Sequence, residues 1–256
     1  MARAAALKLC VLGATGNSGR RIVREALRQG LSVTAVVRDR AKAADLAHAR
    51  LTVRDASFSD EAALAGIISG HDAAVNAAGY VTDGPAYVTL VQGVIRAAEQ
   101  GLGPGGRFWL FGGAALLDVP GTTLTTLDLP GVPKVFEAHR SNYHAVKATS
   151  LDWSMLCPGP MLASPDTAPS ESLVVSSEIW PVRRPALMRY LPAVATSLRF
   201  KAAIPQMTIY YEDAAQVIVG NLGKEGPYAR KRVGAALPPG KRRIKPDMTF
   251  RQSTSR

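Results

Sequence analysis

Three glycines at a spacing of three residues follow directly on an apolar run near the start of the chain. The run covers residues 7–12, the glycines are Gly13, Gly16 and Gly19, and a helical apolar pattern begins at Ile22. This order of strand, tight turn and helix leaves bare backbone and a helix N-terminus facing the turn, which suits a phosphate group. The sequence therefore predicts a dinucleotide site that includes Gly13, Thr15, Gly16, Asn17, Ser18 and Gly19.

Strand and helix patterns alternate without a break through the first 157 residues. The strands are short and apolar on both faces, which is typical of a parallel sheet with helices on both sides. We predict an α/β fold with a doubly wound parallel sheet of the Rossmann type and a small C-terminal substrate lobe. The predicted strands are 7–12, 32–37, 50–53, 72–76, 106–112 and 153–157, and the predicted helices are 18–29, 41–48, 59–69, 86–100 and 134–149.

The alternation ends after Pro158, which indicates a change in organisation. Residues 1–158 form the predicted dinucleotide-binding core, and the proline-rich residues 159–206 form a lid or substrate lobe with a helix at 186–200. Residues 207–236 are predicted to complete the core with a helix at 210–221 and a short strand at 232–234. Residues 237–256 form a basic tail that we expect to be flexible.

The positive charge of the chain is concentrated at its C-terminal end. The formal net charge is +11, of which residues 229–256 carry +8 and residues 1–228 only +3. A basic tail with a single aromatic residue is more typical of a solvated terminus than of a nucleic-acid arm. We therefore expect no nucleic-acid partner apart from weak attraction of polyanions to the tail.

Neither membrane nor metal signals are found in the sequence. No apolar run approaches the ~20 residues that a membrane-spanning helix needs, and residues 1–9 are too short for a secretory signal. We predict a cytoplasmic protein without a membrane partner.

Cys10 and Cys157 lie in apolar strand-like runs and are predicted to be buried thiols, with no disulfide or metal role. The oligomeric state has no sequence signal.

The end of the second predicted strand indicates which dinucleotide the chain prefers. A fold of this kind places there an acid for the ribose 2′-hydroxyl or a base for a 2′-phosphate. Arg38 occupies that position and favours NADP(H) over NAD(H), although Asp39 follows directly and a surface pair between the two is the alternative. Asp55 is either an acceptor for the adenine amino group or a cap or turn residue. Small residues that the cofactor would pass closely are Ala77, Ala78 and Gly79.

Taken together, these motifs resemble the atypical short-chain dehydrogenase/reductases. The resemblance is greatest to the NAD(P)H-binding group that includes flavin/biliverdin-IXβ reductase and the nitrogen-metabolite-repression regulators. It implies NADPH binding and, in many members, hydride transfer to a flat conjugated acceptor such as a flavin, quinone or tetrapyrrole, whereas other members only sense the nucleotide. It rests on Arg38 and on residues 13–19, 76–79, 111–114, 151–160 and 211–215.

Tyr143 and Lys147 form the YxxxK motif in which short-chain dehydrogenases place their proton donor. Tyr143 comes only 15 residues before Pro158. The superfamily places this tyrosine about ten residues earlier, a difference of about 15 Å along a helix. The partner serine is also missing from residues 112–115, which are glycine and alanine. The motif is either catalytic or, as we favour, a helix-end tyrosine with an exposed lysine.

His139 lies one helical turn before Tyr143 and matches a histidine of the biliverdin-IXβ-type reductases. It either supplies a proton to the acceptor or is a partly exposed helix residue. Gly112 and Gly113 are predicted to line the nicotinamide site through their backbone groups. Without a side-chain acid the reduced acceptor takes its proton from solvent, which suits flavins and quinones better than simple ketones.

Aromatic and basic residues outside the core motifs are candidates for the acceptor site. Tyr80 and Tyr87 are predicted to form one wall, and Trp180 and Arg183 the other, with ordinary packing of a small lobe as the alternative. The competing functions are a non-catalytic NADP(H)-sensing regulator and a sugar-nucleotide epimerase or dehydratase. The epimerase or dehydratase function requires a catalytic tyrosine near residue 133, where the sequence has Pro133.

Overall fold

An eight-stranded sheet forms the centre of the molecule. The computed structural model describes residues 7–182 and 192–246. The strands are β1 (Lys8–Leu12), β2 (Ser32–Val37), β3 (Leu51–Asp55), β4 (Ala73–Asn76), β5 (Arg107–Phe111), β6 (Asp152–Leu156), β7 (Met161–Leu162), β8 (Val174–Ser177), β9 (Ile209–Tyr210) and β10 (Lys231–Ala236). The large sheet has the order β3-β2-β1-β4-β5-β6-β10-β8, and β7 and β9 form a separate parallel pair.

Helices cover both faces of the sheet, because its central strands are apolar on both sides. The helices are α1 (Asn17–Arg28), α2 (Glu61–Ile68), α3 (Pro85–Leu102), α4 (Glu137–Lys147), α5 (Ala193–Met207) and α6 (Tyr211–Val219). On one face α1 packs beside α6, and on the other α3 packs between α2 and α4. The predicted doubly wound Rossmann-type sheet is confirmed.

The order of the strands reverses between β1 and β4. β1 pairs with β2 on one side and with β4 on the other, and both pairs are parallel. In open α/β sheets, ligands bind at the carboxyl ends of the strands at this kind of reversal. The residues that follow β1 and β4 there are Gly13 and Ala77, so the glycine-rich turn lies at the position that the topology reserves for a ligand.

Several elements differ from those predicted. The helix predicted at 41–48 is a 3-10 helix over Arg40–Leu46, which the Asp39 side chain caps by accepting a hydrogen bond from the Ala41 backbone N–H. The helix predicted at 186–200 is displaced toward the C-terminus as α5, and residues 183–191 lie outside the described part of the chain. β8 was not predicted; it runs antiparallel to β10 at the edge of the sheet.

The described part of the basic tail runs along the C-terminal end of α5. The backbone N–H of Leu237 donates to the Gln206 carbonyl, and that of Arg243 donates to the Pro205 carbonyl. The Arg243 guanidinium carbon lies 3.5 Å from the centroid of the Tyr210 ring. Residues 237–246 are therefore attached to the lobe by backbone and side-chain contacts.

The described helices and cysteines bear on two further predictions. None of the helices in residues 7–182 and 192–246 has the length and apolarity needed to cross a membrane. The cytoplasmic location stays a prediction. Cys10 and Cys157 are both buried without a disulfide, and burial raises the pKa of each thiol to about 12.

Candidate active site

The glycine-rich turn has a backbone that two of its three glycines make possible. Gly13 has a φ of +75°, and a β-carbon there would lie 2.7 Å from the Ala78 backbone nitrogen. A β-carbon at Gly19 would overlap the carbonyl group of Gly13, at 2.8 Å from its carbon. These contacts bring the start of α1 directly against the ends of β1 and β4.

Gly16 differs from the other two glycines because the space beside it is open. A β-carbon there would have the Gly13 carbonyl oxygen as its nearest neighbour, at 3.4 Å, and φ is an ordinary −74°. Gly16 is the N-cap of α1 and provides no side-chain cap, and the first turn of α1 has no acidic residue. The free N–H groups of this turn suit the pyrophosphate of a dinucleotide.

The other predicted residues of the turn surround this N-terminus. Asn17 is exposed as the first residue of α1, whereas Thr15 and Ser18 are half-buried. Arg20 links the turn to the 3-10 helix after β2, because its guanidinium donates to the Thr15 and Lys42 carbonyls and pairs with Asp45. The turn is therefore held in place by α1 and by the 3-10 helix that follows β2.

The loop after β4 forms the opposite side of the turn. The Ala77 backbone N–H donates to the Leu12 carbonyl at 2.9 Å, and the Asn76 side chain accepts from the Ala78 backbone N–H at 3.0 Å. Gly79 has a φ of +97°, and a β-carbon there would lie 2.7 Å from Cδ2 of Tyr87. The structure thus places Ala77, Ala78 and Gly79 beside the glycine turn.

Arg38 is exposed just beyond the end of β2, and its charge is not neutralised by a neighbour. Among the described residues it forms no hydrogen bond or ion pair; Asp39 caps the following 3-10 helix instead. Asp55 is exposed and forms an ion pair with Arg40 at 3.1 Å. Asp39 and Asp55 therefore leave the guanidinium of Arg38 available to a ligand.

The carboxyl ends of β5 and β6 meet His139 of α4. A β-carbon at Gly113 would lie 2.9 Å from both Cδ2 and Nε2 of His139, so the imidazole edge lies directly over this glycine. A β-carbon at Gly112 would lie 2.8 Å from the sulfur of Met155 and 3.0 Å from that of Cys157. Protein atoms thus fill the space beside both glycines, with two sulfur atoms against Gly112 and the imidazole against Gly113.

His139 is surrounded by aromatic residues and is only 6% exposed. Phe136 stacks on its ring at a centroid distance of 6.2 Å, and Tyr87 meets it edge-on at 5.8 Å. Burial lowers the pKa of His139 to about 4, so the imidazole is neutral at physiological pH. A buried neutral imidazole is a hydrogen-bonding group rather than a ready source of a proton.

Tyr143 and Lys147 lie apart from this histidine. The Tyr143 ring packs edge-on against Trp153 near the beginning of β6, at a centroid distance of 5.8 Å. Its face meets the guanidinium of Arg232 at 5.0 Å, and Lys147 is exposed at the end of α4. Tyr143 is thus one helical turn further from the carboxyl ends than His139, about 6 Å along the helix axis.

We expect the substitution Tyr143→Phe to leave any turnover of NADPH within about twofold of the original rate, because Tyr143 lies one helical turn beyond His139 and packs against Trp153. Initial rates at saturating NADPH, measured for both proteins, check this. A loss of more than about tenfold, at an unchanged melting temperature, would instead show that the YxxxK motif takes part in proton transfer.

The residues predicted for the acceptor walls have different environments. Tyr80 is 64% exposed beyond Gly79 and is free to contact a ligand. Trp180 is 2% exposed, and its Nε1 donates to Thr126 Oγ1 at 2.6 Å. Its ring packs against Phe200, which is consistent with the alternative of ordinary packing in a small lobe. Arg183 lies outside the described residues.

Two residues near His139 were not predicted for the site. Phe136 forms part of the short 3-10 helix before α4, and Asn142 lies one turn after His139 on the buried side of α4. Neither amide atom of Asn142 has a hydrogen-bond partner among the described residues. The spacing of His139, Asn142 and Val146 at three and four residues was the available signal that these polar groups share the inner face.

Comparison with known proteins agrees with this geometry. No curated protein sequence matches the chain. Among solved structures, a protein provisionally named an NADH-flavin reductase, from Streptococcus pneumoniae, is 24% identical; the match covers 91% of this chain and 100% of the other, with a TM-score of 0.65. A provisionally named epimerase from Bacteroides thetaiotaomicron is 22% identical over 91% and 97% of the two chains, with a TM-score of 0.69.

A third structure contains a nucleotide. It is a short-chain dehydrogenase/reductase from Veillonella parvula in complex with NADP, 13% identical over 94% of this chain and 99% of the other, with a TM-score of 0.64. These similarities are similarities of fold. The profile of a protein family described as NAD(P)H-binding, in contrast, matches the sequence itself over residues 13–177, more than half of the chain. The chain therefore belongs to this NAD(P)H-binding family.

Proposed function

We propose that the protein is an NADPH-dependent oxidoreductase that reduces a conjugated acceptor such as a flavin or a quinone. The observation that carries this proposal is the edge of the neutral His139 ring over Gly113, at the strand ends where the glycine turn also lies. Membership in the NAD(P)H-binding family supports the cofactor. The name of the S. pneumoniae protein is consistent with a flavin-type acceptor.

The residues of the chain divide into those that bind the cofactor and those beside the acceptor. The first turn of α1 and the open face of Gly16 would hold the pyrophosphate. Arg38, which has no partner among the described residues, would bind a 2′-phosphate through charge-assisted hydrogen bonds. The cofactor, when bound, supplies the hydride. The backbone of Gly112 and Gly113, directly after β5, would lie beside the nicotinamide.

The chemistry beside His139 favours acceptors that do not need a strong acid. A conjugated acceptor spreads the negative charge that it gains over several atoms, whereas a simple ketone concentrates that charge on one oxygen. The ketone therefore needs a proton during the reaction. Tyr143 lies one helical turn beyond His139 and packs against Trp153, so we assign it no part in proton transfer, and His139 is neutral. Solvent is then the source of the proton for the reduced acceptor.

The experiment for this proposal measures NADPH oxidation by its absorbance with a set of acceptors: FMN, a naphthoquinone, biliverdin and a simple ketone. We expect turnover with the flavin or the quinone and none with the ketone. NADPH binding at micromolar concentrations without turnover of any conjugated acceptor would refute the proposal. A difference in affinity between NADP⁺ and NADPH would in that case favour the sensing regulator.

The epimerase alternative has weaker support from the site. The B. thetaiotaomicron protein carries an epimerase name, but its likeness to this chain is one of fold. Pro133, which directly precedes the 3-10 helix before α4, occupies the position near which such a reaction requires a tyrosine. Proline has no group that donates a proton, so we favour the reductase.

A further inference from the structure

Tyr87 and His139 form a buried polar pair between α3 and α4. The Tyr87 hydroxyl lies 3.5 Å from Nδ1 of His139, and both side chains are buried. Nε2, on the other side of the imidazole, has no hydrogen-bond partner among the described residues and lies over Gly113. The ring thus has one nitrogen next to a phenol and the other next to Gly113.

The environment of this pair determines which nitrogen carries the proton. Burial raises the pKa of Tyr87 to about 12, so the phenol keeps its hydrogen and can donate it. Burial is the only cause of the shift at His139, and no charged side chain of the described residues contributes. Among the described residues, the Asn142 side chain also acts on Tyr87 and lowers its pKa, and the Cys157 thiol, directly after β6, raises it.

A neutral imidazole has one N–H, and the hydrogen bond at one nitrogen decides where it is. When the phenol donates to Nδ1, the proton of the ring is on Nε2 and points toward Gly113. In the opposite tautomer Nδ1 donates to the phenol oxygen, and Nε2 offers only a lone pair to the site. The first arrangement leaves an N–H donor on the Gly113 side of the ring, and a preorganised donor of this kind stabilises negative charge that develops on a nearby oxygen.

We propose that Tyr87 holds His139 as the tautomer with its proton on Nε2, and that this N–H binds a carbonyl oxygen of the acceptor. Tyr87 is then a positioning residue. The acceptor class is narrowed to compounds with a carbonyl group conjugated to the reduced centre, as in para-quinones. The part of the inference that concerns the acceptor rests on the proposed reductase function.

The reaction balances without a side-chain acid. The bound reduced nicotinamide would supply a hydride to the acceptor, and negative charge would then develop on the conjugated carbonyl oxygen. The Nε2–H of His139 stabilises that charge by a hydrogen bond and keeps its proton. Water then protonates the oxygen, so a quinone becomes a hydroquinone and the nicotinamide is left oxidised.

The tautomer is measured directly by nitrogen-15 NMR of the full chain with labelled histidine rings. The chain has four histidines, and the spectrum of His139→Gln identifies the signal of His139. We expect a protonated Nε2 and an unprotonated Nδ1 that do not change between pH 8 and pH 6. A protonated Nδ1 at pH 8, or a doubly protonated ring at pH 6, would overturn the proposal.

The same spectrum tests the role of Tyr87. We expect Tyr87→Phe to remove the fixed preference, so that His139 shows a mixture of both tautomers. Tyr143→Phe is the matched control, because it removes a phenol from the next turn of the helix face without touching Nδ1. A tautomer in Tyr87→Phe identical to that of the original protein would show that Tyr87 does not position the imidazole.

Kinetics with two acceptors test the hydrogen bond itself. We expect His139→Leu to lower kcat/KM for a naphthoquinone by about 100-fold, as for the loss of one donor to a developing oxyanion. His139→Gln, which can place an amide N–H near the position of Nε2, should recover most of that loss. With methylene blue, which has no carbonyl group, the loss of kcat/KM in His139→Leu should be at least about tenfold smaller than with the naphthoquinone. An equal loss with both acceptors, or none with either, would contradict the assigned hydrogen bond.

The two kinds of measurement separate this inference from the proposed function. If the NMR tautomer is as expected but no acceptor is turned over, the reductase function fails and the arrangement of Tyr87 and His139 stands. If a quinone is turned over but Nδ1 carries the proton, the function stands and the arrangement fails.

Discussion

Substitution Gly16→Ala is expected to weaken NADPH binding by at least about tenfold while leaving the fold intact, since hydrogen bonds to a charged group contribute ~1.5–3 kcal/mol each. The added methyl has only ordinary contacts with the protein, and the backbone angles at Gly16 are open to alanine. It would instead occupy the open face where the pyrophosphate approaches the backbone. Calorimetric titration gives the affinity, and thermal unfolding gives the stability.

Gly19→Ala is the contrasting variant. Its methyl would overlap the Gly13 carbonyl, so we expect a loss of about 3 kcal/mol or more in the free energy of unfolding. The pair separates binding from folding, because one glycine faces the ligand and the other faces the protein. NADPH affinity in Gly16→Ala equal to that of the original protein would mean that the phosphates do not approach this turn.

Removal of the charge at Arg38 is expected to reduce preference for the phosphorylated cofactor. In Arg38→Gln the Kd for NADPH should rise by about 10- to 100-fold, which corresponds to the free energy of charge-assisted hydrogen bonds to the 2′-phosphate. The Kd for NADH should change by less than about twofold. The physical reason is that Arg38 has no acidic partner among the described residues that would compete with a 2′-phosphate. Titrations with both cofactors give the ratio.

The control for Arg38 is Arg28→Gln. Arg28 is the last residue of α1 and pairs with Glu25. Arg28→Gln therefore removes an equal charge from the end of α1 that is far from the glycine turn. It should leave both affinities unchanged. Equal losses for NADPH and NADH in Arg38→Gln would contradict a contact with the 2′-phosphate and would favour a contact that both cofactors share.

The parts of the fold that were predictable are those with local causes. β2 has its predicted bounds and β1 differs by one residue, because apolar runs and glycine turns mark both strands. The reversal between β1 and β4 and the position of the glycine turn follow from the same pattern. The position of Tyr143 one helical turn beyond His139 also follows from counting residues along α4.

The remaining features depend on contacts between distant parts of the chain. β8 is half-buried without a clear apolar alternation, and it becomes a strand by pairing with β10, where Ser177 meets Val233. Tyr87 and His139 are 52 residues apart and meet because α3 packs on α4. The burial that keeps His139 neutral is likewise a product of this packing, which the sequence of α4 alone does not reveal.

A crystal structure with NADPH bound would test the central claim of a cofactor and hydride site most directly. We expect the 2′-phosphate on Arg38, the pyrophosphate at the first turn of α1, and nicotinamide C4 beside Gly113, with the His139 imidazole within about 4 Å of the space for the acceptor. A nicotinamide ring bound away from the ends of β5 and β6, or a 2′-phosphate that does not contact Arg38, would contradict this account.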